Sequence, residues 1–142
     1  MKSSYQHLAK AMVLFCFGAF IYAAIEILWR GYTHWTMAVL GGLLFLLLGG
    51  INNWIDWDMP LSEQVFIGTL AVTIAEFVAG LILNVWLGLG IWDYSQMPFN
   101  ILGQICPQFT FAWAALSLVG IVLDDYIRYW LFKEEKPHYR LF

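Results

Sequence analysis

The sequence predicts an all-α, polytopic membrane helix bundle of four transmembrane helices, with an interfacial or re-entrant loop before the last. Three observations predict it. Of 142 residues, 61% are hydrophobic and 12% charged, against about 45–50% and about 25% in ordinary soluble domains. Four stretches reach the roughly 20 apolar residues that a helix needs to cross a bilayer. Two carboxylates, Glu26 and Glu76, sit inside such stretches. A charge at that depth costs roughly 2.5 kcal/mol or more, so it persists where it faces the bundle interior, pairs, or lines a pathway.

The first helix is expected over about 8–29. It ends in Glu26-Ile27-Leu28-Trp29-Arg30 rather than in a small-residue cleavage site, so it reads as a retained span. The second covers 35–54 and the third 61–87, long enough to tilt. Pro60 precedes the third and Pro107 opens the fourth; a first-turn proline loses no helical hydrogen bond. The fourth covers 106–132, and its last turns run into water from Asp124 onward. Residues 1–132 thus form one transmembrane bundle and 133–142 a cytoplasmic tail. In that tail Lys133-Glu134-Glu135-Lys136 reads as solvated, and Pro137 prevents further helix.

Between the third and fourth spans, residues 88–105 are apolar but interrupted by Gly, Pro and Asn. The segment is too broken to span. It lies along the interface, or it turns back within the membrane where protein or water satisfies its backbone.

Lysine and arginine placement sets orientation. With four spans, one side holds Lys2, Lys10, Arg128, Lys133, Lys136 and Arg140, and the other only Arg30. Both termini are therefore expected in the cytoplasm. Trp29, Tyr32, Trp35, Trp86, Trp92 and Tyr94 mark the outer interface. Tyr5, Trp54, Trp57, Tyr126, Tyr129 and Trp130 mark the inner one. Aromatic belts of this kind anchor helices at headgroup level.

On a helical wheel, Thr69, Thr73, Glu76, Gly80 and Asn84 share one quadrant of the third helix. Leu70, Ile74, Phe77, Leu81 and Val85 form a bulky neighbouring face. The small and polar set is expected to face other helices, with Thr, Glu and Asn bonding across them, and the bulky set to face lipid. Gly42, Gly49 and Asn53, with Asn52 beside them, give the second helix a packing side. Ser117, Gly120, Asp124 and Arg128 do so in the fourth.

Glu26 lies ~27 Å along the first helix and Glu76 ~22 Å along the third, both in the outer half. Arg30 follows Glu26 by four residues, on the same helical face. An outward-facing polar cluster of Glu26, Arg30, Glu76, Asn84, Asp93 and Tyr94 is expected. Two readings stay open for it. Glu26 with Arg30 is an interfacial ion pair, and Glu76 a carboxyl bonded to a neighbouring helix as glue; or the cluster serves transport, proton relay or ligand binding. A second cluster is expected at the cytoplasmic ends, with Asp124, Asp125 and Arg128 near Asn52, Asn53, Asp56 and Asp58, reading as a hydrated helix end.

Net charge is −3, and no basic cluster suggests nucleic acid. Cys16 and Cys106 fall at different depths, which disfavours a disulfide; both read as buried apolar thiols. His7, His34 and His138 are too far apart for a shared metal site, and no cofactor motif is present. There is no GxxxxGK[ST] loop, GxSxG or HExxH. His34 near Asp93 could act as a base, but no nucleophile stands out, so an enzyme is the weaker reading.

Glu26 leading into Arg30-Gly31, Thr73-x-x-Glu76-x-x-x-Gly80, Trp92-Asp93-Tyr94-Ser95 and Asn100-x-x-Gly103-Gln104 resemble the small integral membrane proteins known as type IV ABC-transporter permeases. The resemblance covers about 17–125, and Trp-Asp-Tyr-Ser is its most specific element. Longer members carry a Gly-Pro-rich segment after the first helix that residues 32–39 lack. The resemblance implies a transporter permease-like component in a bacterial plasma membrane. The lipid bilayer would surround it, a separate ATPase subunit would supply hydrolysis, and a homo-oligomer or larger complex would complete the path. The alternatives are a non-transporting structural or regulatory protein that binds partner helices, and an intramembrane enzyme acting on a lipid or envelope substrate.

Overall fold

The computed structural model describes residues 2–54 and 59–141. Asp56, Trp57 and Asp58 lie outside the described residues, as do the side chains of Lys2, Asn52, Asn53 and Trp54. Among the described residues the fold is all-helical. Helix α1 spans Lys2–Arg30, α2 Trp35–Trp54, α3 Leu61–Gly80 and α4 Pro107–Phe132. One isolated antiparallel bridge joins Ile101 to Ile105. Helices α1, α4 and the α3 rod are long and apolar enough to cross a membrane, whereas the apolar stretch of α2, Trp35–Ile51, is shorter.

Two boundaries differ from expectation. Helix α1 begins near the start of the chain, because the polar first turns still carry good helix formers such as Lys2, Gln6 and Ala9. The third helix does not stay α-helical over 61–87: after Gly80 it widens into a π-helix, Leu81–Trp86. Its end is marked by Leu87 N–H donating to Ile82 O at 2.9 Å, the i→i+5 pattern of a π turn. Gly88 then adopts φ +65°, which ends the rod at little steric cost.

The chain divides into two compact units, Met1–Asp58 with Gly120–Tyr139, and Met59–Val119 with Arg140–Phe142. In the first, Leu14, Phe45 and Ile127 form a buried cluster, with Leu46, Leu123 and Phe132 packed on it. Helices α1 and α2 approach closely because small residues face each other. A Cβ on Gly18 would overlap Phe45, one on Gly41 would overlap Tyr22, and one on Gly42 would lie 2.6 Å from the Phe15 ring. A Cβ on Gly49 would strike the Asp124 carboxylate, and one on Gly120 would sit 2.8 Å from Leu48.

The Asp124–Arg128 end is not hydrated as expected. Asp124 and Asp125 are buried. Asp124 Oδ2 accepts from Arg128 Nε at 2.6 Å, and Asp125 Oδ2 from the Tyr139 hydroxyl at 2.6 Å. Nor is the tail simply solvated. Lys133, Glu135 and Lys136 are exposed, but Glu134 pairs with Lys10 at 2.5 Å and Pro137 is buried. Burial and the bond to Asp125 push the Tyr139 phenol well above its ordinary value. Cys16 is exposed and Cys106 buried, so only the second behaves as a buried thiol.

In the second unit, α3 buries Gln64, Gly68, Val72, Glu76 and Gly80, an every-fourth-residue stripe on one face. Leu70, Ile74 and Val85 are exposed; Phe77 and Leu81 are only half-exposed. The start of α3 is closed by the chain's end: Leu61 N–H donates to Arg140 O at 2.6 Å and Ser62 N–H to Leu141 O at 3.2 Å. These partners replace the side-chain cap that Pro60 cannot supply.

Candidate functional site

The second unit holds Glu76 on α3 under the loop that precedes α4. Glu76 is 4% exposed. Its Oε1 accepts from the Tyr94 hydroxyl at 2.9 Å and its Oε2 from the Trp113 indole N–H at 2.7 Å. The two donors come from different places, one from the loop and one from α4. A carboxylate offers about four acceptor positions, so two remain. Tyr94 is held from behind: its ring stacks on Phe109 with centroids 4.6 Å apart, and its N–H donates to Gly103 O at 2.7 Å.

Two turns further along, the π segment aims Asn84 at the loop. Asn84 Oδ1 accepts from Ile91 N–H at 2.7 Å, and its Nδ2 donates to Gln104 Oε1 at 2.9 Å. Gln104 Nε2 donates to Leu102 O at 2.9 Å, and Gln104 O accepts from the Trp92 indole at 3.1 Å. Gly80 makes room for this carboxamide; a Cβ there would lie 2.5 Å from Gln104 Oε1.

The loop braces itself. Asp93 Oδ1 accepts from Ser95 N–H at 2.8 Å, an Asx turn. That backbone bond, then the Ser95 side chain, holds the exposed Asp93 carboxyl below its ordinary range. Asn100 donates to Met97 O at 2.9 Å and accepts from Gly103 N–H at 2.9 Å. Phe99 and Leu102 have φ of 57° and 53°, a conformation that costs roughly 1–2 kcal/mol in a residue bearing a Cβ. Such backbone persists where surrounding bonds over-determine it, often at functional sites.

The residues singled out from the sequence fall into two sets. Glu26 Oε2 and Arg30 Nε pair at 2.5 Å in the first unit, with the guanidinium 4.7 Å from the Tyr32 ring centre. In the second unit Tyr94 touches Glu76 directly, Asn84 joins the loop through Gln104, and Asp93 turns to Ser95 rather than to Glu76. Thr69 does not bond across helices; its hydroxyl donates to Val65 O of its own helix at 2.7 Å. Thr73 Oγ1, Ser117 Oγ and Gln64 Oε1 are buried without a hydrogen-bond partner among the described residues. Trp113 was not foreseen, although it stands one turn before Ser117 on the same face of α4. Gln104 stood only in a loop motif, and nothing local marks it as the partner of Asn84.

The family model described as "Putative ABC-transporter type IV" matches residues 8–138. The chain belongs to this family. No curated protein and no solved structure shows a significant match. The family match runs through Glu76, the Trp92–Ser95 turn and Trp113, so the arrangement around Glu76 lies wholly inside the type IV transporter family's span. Its apolar helices make this family member a membrane protein of transporter type.

Proposed function

We propose that this chain is the membrane-embedded, permease-like component of a transport assembly, with Glu76, Asn84, Tyr94 and Asp93 as its polar site in the outer half of the bilayer. Both termini lie in the cytoplasm of a bacterial cell. A separate ATPase subunit supplies hydrolysis, since the chain carries no phosphate-binding loop. Four helices are few for a complete path, so a second copy or a larger complex closes it.

The observation that carries the reading is the buried Glu76 carboxyl held by two exchangeable donors, Tyr94 and Trp113. A group that binds and releases a proton or cation needs partners that can let go. The unpartnered hydroxyls of Thr73 and Ser117 support it, because a buried polar group left unpaired costs about 1–3 kcal/mol and calls for a reason. The Glu26–Arg30 pair fixes the end of α1. The bridging of Glu76 to both the loop and α4 favours a second reading, a static clamp between α3, the loop and α4 in a protein that binds partner helices.

Glu76→Gln separates the two, because the amide keeps an acceptor oxygen and loses the titrating group. Transport predicts a folded variant, with unchanged melting in detergent, that no longer complements a deletion strain. Full complementation by a folded Glu76→Gln protein sinks the titrating role. Purification of the tagged chain from native membranes is expected to bring down an ATP-binding subunit in stoichiometric amount; its absence removes the permease assignment.

A further inference from the structure

Three adjoining hollows lie along α1 within the first unit, the third an open stretch of the helix surface. A cavity of ≈ 290 Å³ is lined by His7, Lys10, Leu14, Arg128 and Glu134, among others. A second, of ≈ 440 Å³, shares His7, Lys10 and Glu134 and extends to Val13 and Phe132. A third, of ≈ 480 Å³, shares Val13 and continues along Cys16, Phe17 and Phe20. The series is polar at one end and wholly apolar at the other.

Depth fits an amphiphile. Lys10 and Arg30 stand 20 residues apart on one helix, or ~30 Å, the thickness of the hydrocarbon core. With Arg30 at one interface, Lys10 lies at the headgroup level of the other. From Lys10 to Phe20 is ~15 Å, half that core and therefore one leaflet deep.

Charge at the polar end fits a headgroup carrying both signs. Lys10 Nζ donates to Glu134 Oε1 and stands 5.7 Å from the Phe132 ring centre, and an ammonium has three donors. Arg128 commits its Nε to Asp124, leaving the two terminal nitrogens of the guanidinium for the oxygens of an anion. Glu134 contributes its other oxygen: Oε2 is buried and has no hydrogen-bond partner among the described residues. The wall thus offers donors for a phosphate and one acceptor for an N–H.

We propose that this series of cavities binds one phosphoethanolamine-type phospholipid. Its phosphate meets Lys10 and Arg128, its primary ammonium donates to Glu134 Oε2, and an acyl chain lies along Val13, Cys16, Phe17 and Phe20. A trimethylammonium headgroup has no N–H to give. A purely anionic headgroup would meet Glu134 with like charge.

The test is native mass spectrometry of the full chain in detergent, titrated with phosphatidylethanolamine, phosphatidylcholine and phosphatidylglycerol of matched acyl chains. The ethanolamine lipid is expected to bind on the order of ten-fold more tightly than choline lipid, the ratio that ~1.4 kcal/mol supplies. Glu134→Gln, at a half-exposed position beyond α4, should collapse that ratio toward one with helical circular dichroism unchanged. Cys16→Trp, which fills the groove, should lower retention of the ethanolamine lipid. Equal binding of choline and ethanolamine lipids, preference for glycerol lipid, or an unchanged ratio in Glu134→Gln each overturns the assignment.

Discussion

Replacing Gly80 by alanine places one methyl group where Gln104 already stands. The new Cβ would lie 2.5 Å from Gln104 Oε1, 2.9 Å from its Cβ and 3.1 Å from its Cδ. The carboxamide cannot simply swing aside, because Asn84 Nδ2 and Leu102 O hold it at 2.9 Å each. Overpacking of this kind costs about 1–3 kcal/mol. A shift of ~1 Å also breaks the Asn84 bond, worth ~1 kcal/mol. Against this, alanine gains about 1 kcal/mol of helix propensity over glycine. The net loss is about 1–3 kcal/mol, which on the scale of domains near this size lowers the melting temperature by roughly 4–10 °C. Thermal unfolding in detergent, followed by tryptophan fluorescence, measures it. An unchanged or raised melting temperature would show that helix propensity outweighs the contact, and the close packing of α3 on the loop would fall with it.

Trp113→Phe keeps the buried ring and removes the donor to Glu76; a buried hydrogen bond is worth about 0.5–1.5 kcal/mol, more where its partner is ionised, and pairing the change with Glu76→Gln in a double-mutant cycle should show coupling rather than additivity. Tyr139→Phe should loosen the tail, seen as faster trypsin cleavage after the neighbouring Arg140. Because Tyr139 titrates higher in the fold than in the free chain, its contribution is complete below about pH 10, the unfolded value, and fades as pH rises beyond it. Tail protection should therefore fall in alkali in the native protein, and Tyr139→Phe should lack that tyrosine's share of the fall. Asp93 shifts the opposite way: its turn is supported above about pH 3.9, and support is lost as pH drops through its lower folded value, which amide exchange at Ser95 reports.

The helices were legible because lipid and helix both act through short-range rules. Apolar runs and prolines placed α2 at its observed bounds and α4 within one residue, and the wheel set Glu76 and Gly80 on a buried face. What stayed hidden depends on contacts distant in sequence. Glu134 sits in a run of four charges that reads as solvated, and only the placement of Lys10, 124 residues away, turns it inward. Asp124 reads as a helix end in water until Gly49 is seen to make room for its carboxylate. The π turns are invisible to a wheel drawn at 100° per residue, which assumes the spacing they abandon.

The loop shows how an irregular segment can meet an apolar surrounding. In hydrocarbon each unsatisfied backbone group costs several kcal/mol, so a loop near lipid must close its own ladder. Here Ile91 donates to Asn84, Tyr94 to Gly103, Ser95 to Asp93, Met97 to Tyr94, Ile101 to Ile105, Gly103 to Asn100 and Gln104 to Ile101. Side chains of Asn and Asp take the places a strand or helix would fill. With its backbone bonded in this way, the loop shows Phe99 and Leu102 at its surface, 89% and 68% exposed, beside the exposed Asp93 and Ser95. A water-facing turn has no need of that arrangement, since water would satisfy the amides and penalise the rings. The Tyr94 hydroxyl reaches Glu76 from the same braced loop, so the bonding that satisfies the loop's backbone also holds the buried carboxyl.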